Sequence, residues 1–143
     1  MSDPVAREGL KKGVLFAQAP DADIDDVIEA GQEVKYDADQ VIFAEGDQRD
    51  GMFLMLDGRA RVDIGGRFHL LGPGDFFGEM ALLVPDKRLA TVRAVDPVKA
   101  LHIPSEAFES FLFEHPHVAI GMLRALTMRL REVEQRIDAW MGP

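Results

Sequence analysis

From Gln32 to Pro104 the chain is a succession of short β-prone runs cut apart by glycine turns, and this rhythm constrains the fold more than any other feature. The runs are Val34–Tyr36, Val41–Phe43, Met52–Leu56, Ala60–Ile64, Phe68–Leu71, Ala90–Val95 and Lys99–Ile103. Between them stand Glu45-Gly46-Asp47, Asp50-Gly51, Asp57-Gly58, Gly65-Gly66 and Gly72-Pro73-Gly74-Asp75, which supply positive-φ residues suited to tight hairpins. Seven or eight short strands on this spacing predict a mainly β chain, an antiparallel β jelly roll (double-stranded β-helix) with flanking helices. No repeat of fixed period and no low-complexity tract competes with that architecture.

Helical patterns flank the β region. Asp21–Gly31 reads as a short helix, with acids in the first turn that suit the positive end of the dipole and a glycine to stop it. The residues after Asp25 lack the glycine and distal glutamate of a calcium loop, so the acids are read as a solvated helix start. Beyond the strands, Ser105 is the expected N-cap of a helix reaching Phe113, and a second helix opens at His115-Pro116, with proline in its first turn. That helix places Ala119, Leu123, Leu126, Leu130, Val133, Ile137 and Trp140 at alternating spacings of four and three, a narrow seam that predicts helix-on-helix pairing. The competing reading folds the stripe back onto the chain's own β-roll. The expected organisation is an N-terminal helical or extended segment over 1–20, the β-roll with adjoining short helices over 21–113, and a long C-terminal helix over 114–143.

Composition excludes several kinds of chemistry. At 143 residues, 47% apolar and 29% charged, the chain suits one domain that folds without a staple. The absence of cysteine removes disulfides, thiolate ligands and a cysteine nucleophile. No secretory leader is legible and no run approaches the roughly 18 apolar residues of a membrane span, so cytoplasmic residence is expected. Lys and Arg number 16 against 25 Asp and Glu, and residues 1–50 alone carry 13 acids and 5 bases. Autonomous nucleic-acid binding is therefore not expected, and any anion site must be local. His69, His102, His115 and His117 show no metal-ligand spacing with a carboxylate on one helical face, and His115-Pro116-His117 is read as the opening of a helix. There is no Gly-x-Ser-x-Gly elbow, and Asp25-Asp26 falls on acidic helix surface, so no catalytic constellation is found and no enzymatic activity is expected.

The informative stretch runs from Gly72 to Val92. Its three glycines fall as G-x-G-x-x-x-G, one residue too long for a dinucleotide fingerprint, with no helical repeat behind them. Gly78-Glu79-Met80-Ala81-Leu82-Leu83 instead reads as a glycine turn, one acid and an apolar stretch able to make one or two helical turns before Pro85. The N–H groups that open such a turn form a small anion site. Arg88, nine residues beyond Glu79, enters the next strand and carries its guanidinium back toward the same place. A carboxylate for hydroxyls beside a guanidinium for phosphate is the equipment a sugar phosphate requires.

Phe77-Gly78-Glu79-Met80-Ala81-Leu82 followed by Arg88-Leu89-Ala90-Thr91-Val92 closely resembles the phosphate-binding cassette of cyclic nucleotide-binding domains. Glu45-Gly46-Asp47, Gly51-Met52-Phe53, Gly58-Arg59 and Leu71-Gly72-Pro73-Gly74-Asp75 resemble the glycine framework of the Crp/Fnr branch, and the likeness runs from about Asp21 to Met141. The resemblance implies that Glu79 accepts from the ribose 2′-hydroxyl and Arg88 pairs with the cyclic phosphate. It also implies that N–H groups of Ala81 and Leu89 complete the phosphate cradle and that Gly78 and Met80 line the sugar. With Ala90, the implied binding set is Gly78, Glu79, Met80, Ala81, Arg88, Leu89 and Ala90. The implied ligand is cAMP, with no further cofactor, and the implied role is signal transduction by a homodimer paired through its C-terminal helix.

Two positions depart from the family. Leu89 stands where a small or hydroxyl residue is usual, and Val133-Glu134 stands where the Crp branch sets hydroxyls against the purine, with Thr127 about two turns earlier. The competing expectation is a scaffold of the same fold that dimerises or docks without nucleotide, Glu79 and Arg88 neutralising each other. Crp/Fnr regulators continue past the long helix into a helix-turn-helix module, whereas this sequence ends at Pro143. The expectation is thus a sensor module, or the sensory fragment of a transcription regulator.

Overall fold

Five consecutive apolar residues, Met52 to Leu56, call for a strand covered on both faces, and strand β3 is buried at each of those positions. The computed structural model describes residues 4–47, 51–64, 66–78, 88 and 90–141, with 137–141 described by backbone alone. The strands are β1 (Gln32–Tyr36), β2 (Val41–Phe43), β3 (Met52–Asp57), β4 (Ala60–Ile64), β5 (Arg67–Leu71), β6 (Phe76–Phe77), β7 (Thr91–Ala94) and β8 (Val98–Ile103). One sheet has the order β1-β8-β3-β6 and the other β2-β7-β4-β5, with antiparallel pairing throughout. This is the expected jelly roll.

Most glycine turns are not hairpins, which corrects the sequence reading. The chain passes from one sheet to the other between β1 and β2, β2 and β3, β3 and β4, β5 and β6, β6 and β7, and β7 and β8; only β4 and β5 are consecutive hydrogen-bonded neighbours. Gly46, Gly51, Gly58 and Gly74 do adopt positive φ. A positive φ reverses the chain but does not choose the partner, and two facing sheets bury more apolar area than a flat meander would. One turn was not legible as such: Asp39 takes φ 69° without being glycine. Strand β6 was also missed, because two phenylalanines inside a glycine-rich stretch are too short to show alternation; they pair with Phe53 and Leu54.

The interior has two layers, divided by β3. Phe53 and Met55 face Ala60, Val62, Phe77, Val92 and Ala100 between the sheets. Met52, Leu54 and Leu56 face the helices: α1 (Pro4–Lys11), α2 (Asp21–Ala30), α3 (Ser105–Glu114) and α4 (Pro116–Met141). Helix α1 gives content to the N-terminal segment, burying Ala6 and Leu10 beside Leu15 and Phe16. Ser105 is not the N-cap of α3; Pro104 holds that place with φ −57° and ψ 149°, and its carbonyl accepts from Phe108 N at 3.0 Å. Helix α4 begins at Pro116, as the sequence reading expects. No helix among the described residues is long and apolar enough to cross a membrane.

Gly31 ends α2 for a reason other than backbone freedom. Its φ is −107°, which any residue adopts, and its N–H donates to Val27 O. A Cβ there would lie 2.6 Å from Leu101 Cγ and 2.9 Å from Ile103 Cγ1. Gly31→Ala is expected to lower stability by about 1–3 kcal/mol through overpacking, seen as a lower urea midpoint with unchanged slope. A midpoint equal to wild type would show that β8 yields without cost.

Helix α4 meets its own domain through Val118, Met122 and the partly buried Ala125 and Leu126. The seam residues Leu123, Leu130 and Val133 are 64%, 58% and 47% exposed, so at these positions the stripe does not fold back onto the roll. The side chains of Ile137 and Trp140 lie outside the described residues.

Candidate functional site

Arg88 is 5% exposed, the one charged residue buried to that degree among those described. Its main chain is tied to the corner between β2 and β3: Arg88 N donates to Asp47 O at 2.7 Å, and Gly46 N donates to Arg88 O at 2.8 Å. Thr91, three residues on, accepts from Glu45 N through Oγ1 at 3.0 Å. The glycine corner and the start of β7 are thereby tied together, which fixes the backbone from which the arginine side chain departs.

The guanidinium is held as firmly. Nη2 donates to Gly51 O at 3.0 Å, Nη1 donates to Gly78 O at 3.2 Å, and Cζ lies 4.2 Å from the centroid of the Phe43 ring. A planar cation on an aromatic face with two in-plane acceptors is a geometry an ammonium cannot reproduce. Phe43 is itself fixed against Phe53 and Phe77, whose rings stack at 4.9 Å. Gly78 has φ 81°, and a Cβ there would sit 2.7 Å from Arg88 Nη1, so the turn after β6 needs glycine for conformation and for space.

Arg88, Gly78 and Ala90 line a cavity of about 720 Å³. It is also lined by Val62 and His69 of the β4–β5 hairpin and by Met128, Glu132, Val133 and Arg136 of α4. The volume is that of a small-molecule site. Burial, together with the Arg129 and Arg136 guanidiniums, holds the His69 imidazole below its ordinary pKa, against the opposing pull of Glu132 and Asp75. A neutral imidazole can both donate and accept.

Three of the sequence-derived site residues, Gly78, Arg88 and Ala90, are brought together around this cavity. Glu79, Met80, Ala81 and Leu89 lie outside the described residues. Thr127 is exposed and spends its hydroxyl on Leu123 O at 2.7 Å, while Val133 does reach the cavity wall.

Sequence reasoning missed Arg129. Its Nη2 donates to Phe76 O at 2.6 Å and its Cζ lies 4.1 Å above the Phe76 ring, latching α4 to β6 just before the Gly78 turn. Nothing in the sequence marks it, because the acceptor is a main-chain oxygen 53 residues away and the arginine sits in a charged helical pattern.

Comparison with known proteins agrees with this geometry. The family model described as "Cyclic nucleotide-binding domain" matches residues 33–115. A "CRP-like cAMP-activated global transcriptional regulator" of Mycobacterium tuberculosis is 28% identical over 96% of this chain and 62% of the relative. A "Cyclic AMP receptor protein" of Thermus thermophilus is 30% identical over 90% of this chain and 62% of the relative. The crystal structure of the Thermus thermophilus Catabolite Activator Protein superposes with a TM-score of 0.79 at 30% identity, covering 90% of this chain and 63% of that one. At 21% identity, a structure described as "Sp-2Cl-cAMPS bound to PKAR CBD2" shares the fold with a TM-score of 0.71, covering 92% and 95%. The chain thus spans less than two thirds of the length of these regulatory relatives. With Gly78, Arg88 and Ala90 on a jelly roll and the family model matching more than half of its length, the chain belongs to the cyclic nucleotide-binding domain family.

Proposed function

We propose that the cavity takes a cyclic nucleotide, cAMP in preference to cGMP, with its phosphate on Arg88 and its base toward α4. The carrying observation is the buried Arg88 guanidinium, fixed by Gly51, Gly78 and Phe43 on a cavity that α4 also lines. Glu79 takes the ribose 2′-hydroxyl, Gly78 and Met80 border the sugar, and the N–H groups of Ala81 and Leu89 complete the cradle beside Ala90, as in the family pattern. The module is non-enzymatic and works in the cytoplasm. Occupancy is passed to α4 through the Arg129 latch, since that arginine holds the helix to the strand that leads into the Gly78 turn. The exposed seam around Leu123, Leu130 and Val133 supports a homodimer paired through α4. The names of the matched relatives support a role as the sensory part of a regulator.

Calorimetry on nucleotide-free protein tests the ligand. Saturable binding of one equivalent of cAMP per chain is expected, tighter than cGMP by about 1–3 kcal/mol. The margin stays small because the discrimination rests on Leu89, which offers no polar partner to the guanine amino group. Equal or tighter cGMP binding would overturn the selectivity. No saturable heat with either nucleotide at millimolar concentration would leave the scaffold reading, to which the exposed seam is equally suited.

A further inference from the structure

We propose that Asp23, Asp26 and His115 form a surface site for a divalent transition-metal ion of the zinc type, which clasps α2 to the junction of α3 and α4. The three side chains each offer a ligand atom, and these atoms lie within 4.8 Å of one another. None of the three lines the nucleotide cavity, so this is a separate place on the molecule. The sequence hides it, because His115 and Asp26 are 89 residues apart.

The four aspartates of α2 are divided between two tasks. Asp21 and Asp25 pair with Lys11 and Arg7 of α1. Asp23 and Asp26, three residues apart and therefore on one face of the helix, remain for His115. Their partner is a pre-set ligand. The His115 carbonyl accepts from Val118 N and Ala119 N where α4 begins, and its ring stacks on Phe111 with centroids 3.9 Å apart and planes 14° apart. Nδ1 lies 2.8 Å from Phe111 O. A carbonyl only accepts, so Nδ1 carries a hydrogen and donates, and Nε2 is the atom turned toward Asp26 Oδ2 at 2.9 Å.

With Nδ1 protonated, a neutral ring would aim the Nε2 lone pair at a carboxylate oxygen. A positive particle belongs between them, either a proton or a metal ion. Two carboxylates and one imidazole nitrogen present enough negative charge for a divalent cation, and an Nδ1–H held by a main-chain carbonyl is the outer-shell partner that ligating histidines use. Metal bonds of about 2.0–2.2 Å place neighbouring ligand atoms about 3.0–3.5 Å apart. The His115–Asp26 pair is already near that separation, and half-buried Asp23, whose ligand oxygen lies within 4.8 Å of the other two, needs only a side-chain adjustment to complete the set. Mixed nitrogen and oxygen donors favour zinc over calcium or magnesium, which take oxygen, and water fills the open positions.

The test titrates zinc chloride into the chelator-treated, dialysed full chain by calorimetry and follows histidine ring nitrogens by NMR. One equivalent per chain with micromolar affinity is expected, and zinc should move His115 Nε2 while Nδ1 keeps its hydrogen. Losing a ligand costs at least what losing an outer-shell partner does, so His115→Gln and the pair Asp23→Asn/Asp26→Asn should each weaken binding about 10–100-fold or more. His117→Gln should leave it unchanged. The two aspartates are near the surface, so their variant should fold as wild type by circular dichroism even if His115→Gln does not. The proposal is overturned if wild type binds no zinc below millimolar, as when a proton alone fills the gap. It is equally overturned if the aspartate variant binds as wild type, or if the zinc shift appears at His117.

Discussion

Arg88→Ala is expected to cost about 2–5 kcal/mol of cyclic-nucleotide binding, roughly thirty-fold to several-thousand-fold in Kd. The guanidinium is nearly enclosed and its orientation is fixed before ligand arrives, by two carbonyls and an aromatic face. Removing it leaves the bound anion without the charge-assisted bonds of a buried cation, the strongest such bonds the site offers. Arg88→Lys should recover little, because one ammonium cannot meet Gly51 O and Gly78 O in plane while lying flat on Phe43. Thermal melts of both variants should accompany the titrations, since Arg88 also packs against the β-roll. A folded Arg88→Ala protein that binds cAMP within about threefold of wild type would remove this arginine from the site.

Leu130→Glu carries the second large effect. Leu130 is 58% exposed and central to the stripe that leaves Leu123 and Val133 uncovered, while Val118 and Met122 hold the helix to its own domain. In a symmetric pair the substitution places a carboxylate on both partners at the middle of the seam, each buried without a counter-charge, at a cost of several kcal/mol. Sedimentation velocity should show a dimer in wild type and a monomer in the variant, with the β domain unchanged by circular dichroism. A wild-type chain that stays at 15.9 kDa over a wide concentration range would contradict pairing and leave the seam to another partner.

What could be read in advance followed the range of the forces involved. Strand positions were legible because burial stamps a local pattern: Met52 to Leu56 is apolar throughout because β3 has a covered face on each side. The sheet assignment was not legible, since the residues of Asp57-Gly58 dictate a reversal and say nothing of whether Ala60 pairs with β3 or crosses to β7. Arg88 and Gly78 were recognisable because the cassette is contiguous and each has a chemical or steric reason to be that residue. Arg129 and the meeting of His115 with Asp26 were not, because both contacts join residues far apart in the chain with no local pattern to mark them. Gly31 shows a subtler limit: the residue was taken as a stop, but the side chains of Leu101 and Ile103 that crowd it belong to β8, far along the chain, and leave no local mark.

The most direct test of the central claim is NMR mapping of cAMP onto the ¹⁵N-labelled, nucleotide-free chain, following the Arg88 Nε–H and the amides of Gly78, Ala90, Arg129 and Val133. A cyclic nucleotide seated between Arg88 and α4 should move all five in one saturable transition at one equivalent per chain. Resonances that stay in place at millimolar cAMP, or shifts confined to the groove lined by Gln18, His117 and Arg124, would contradict it.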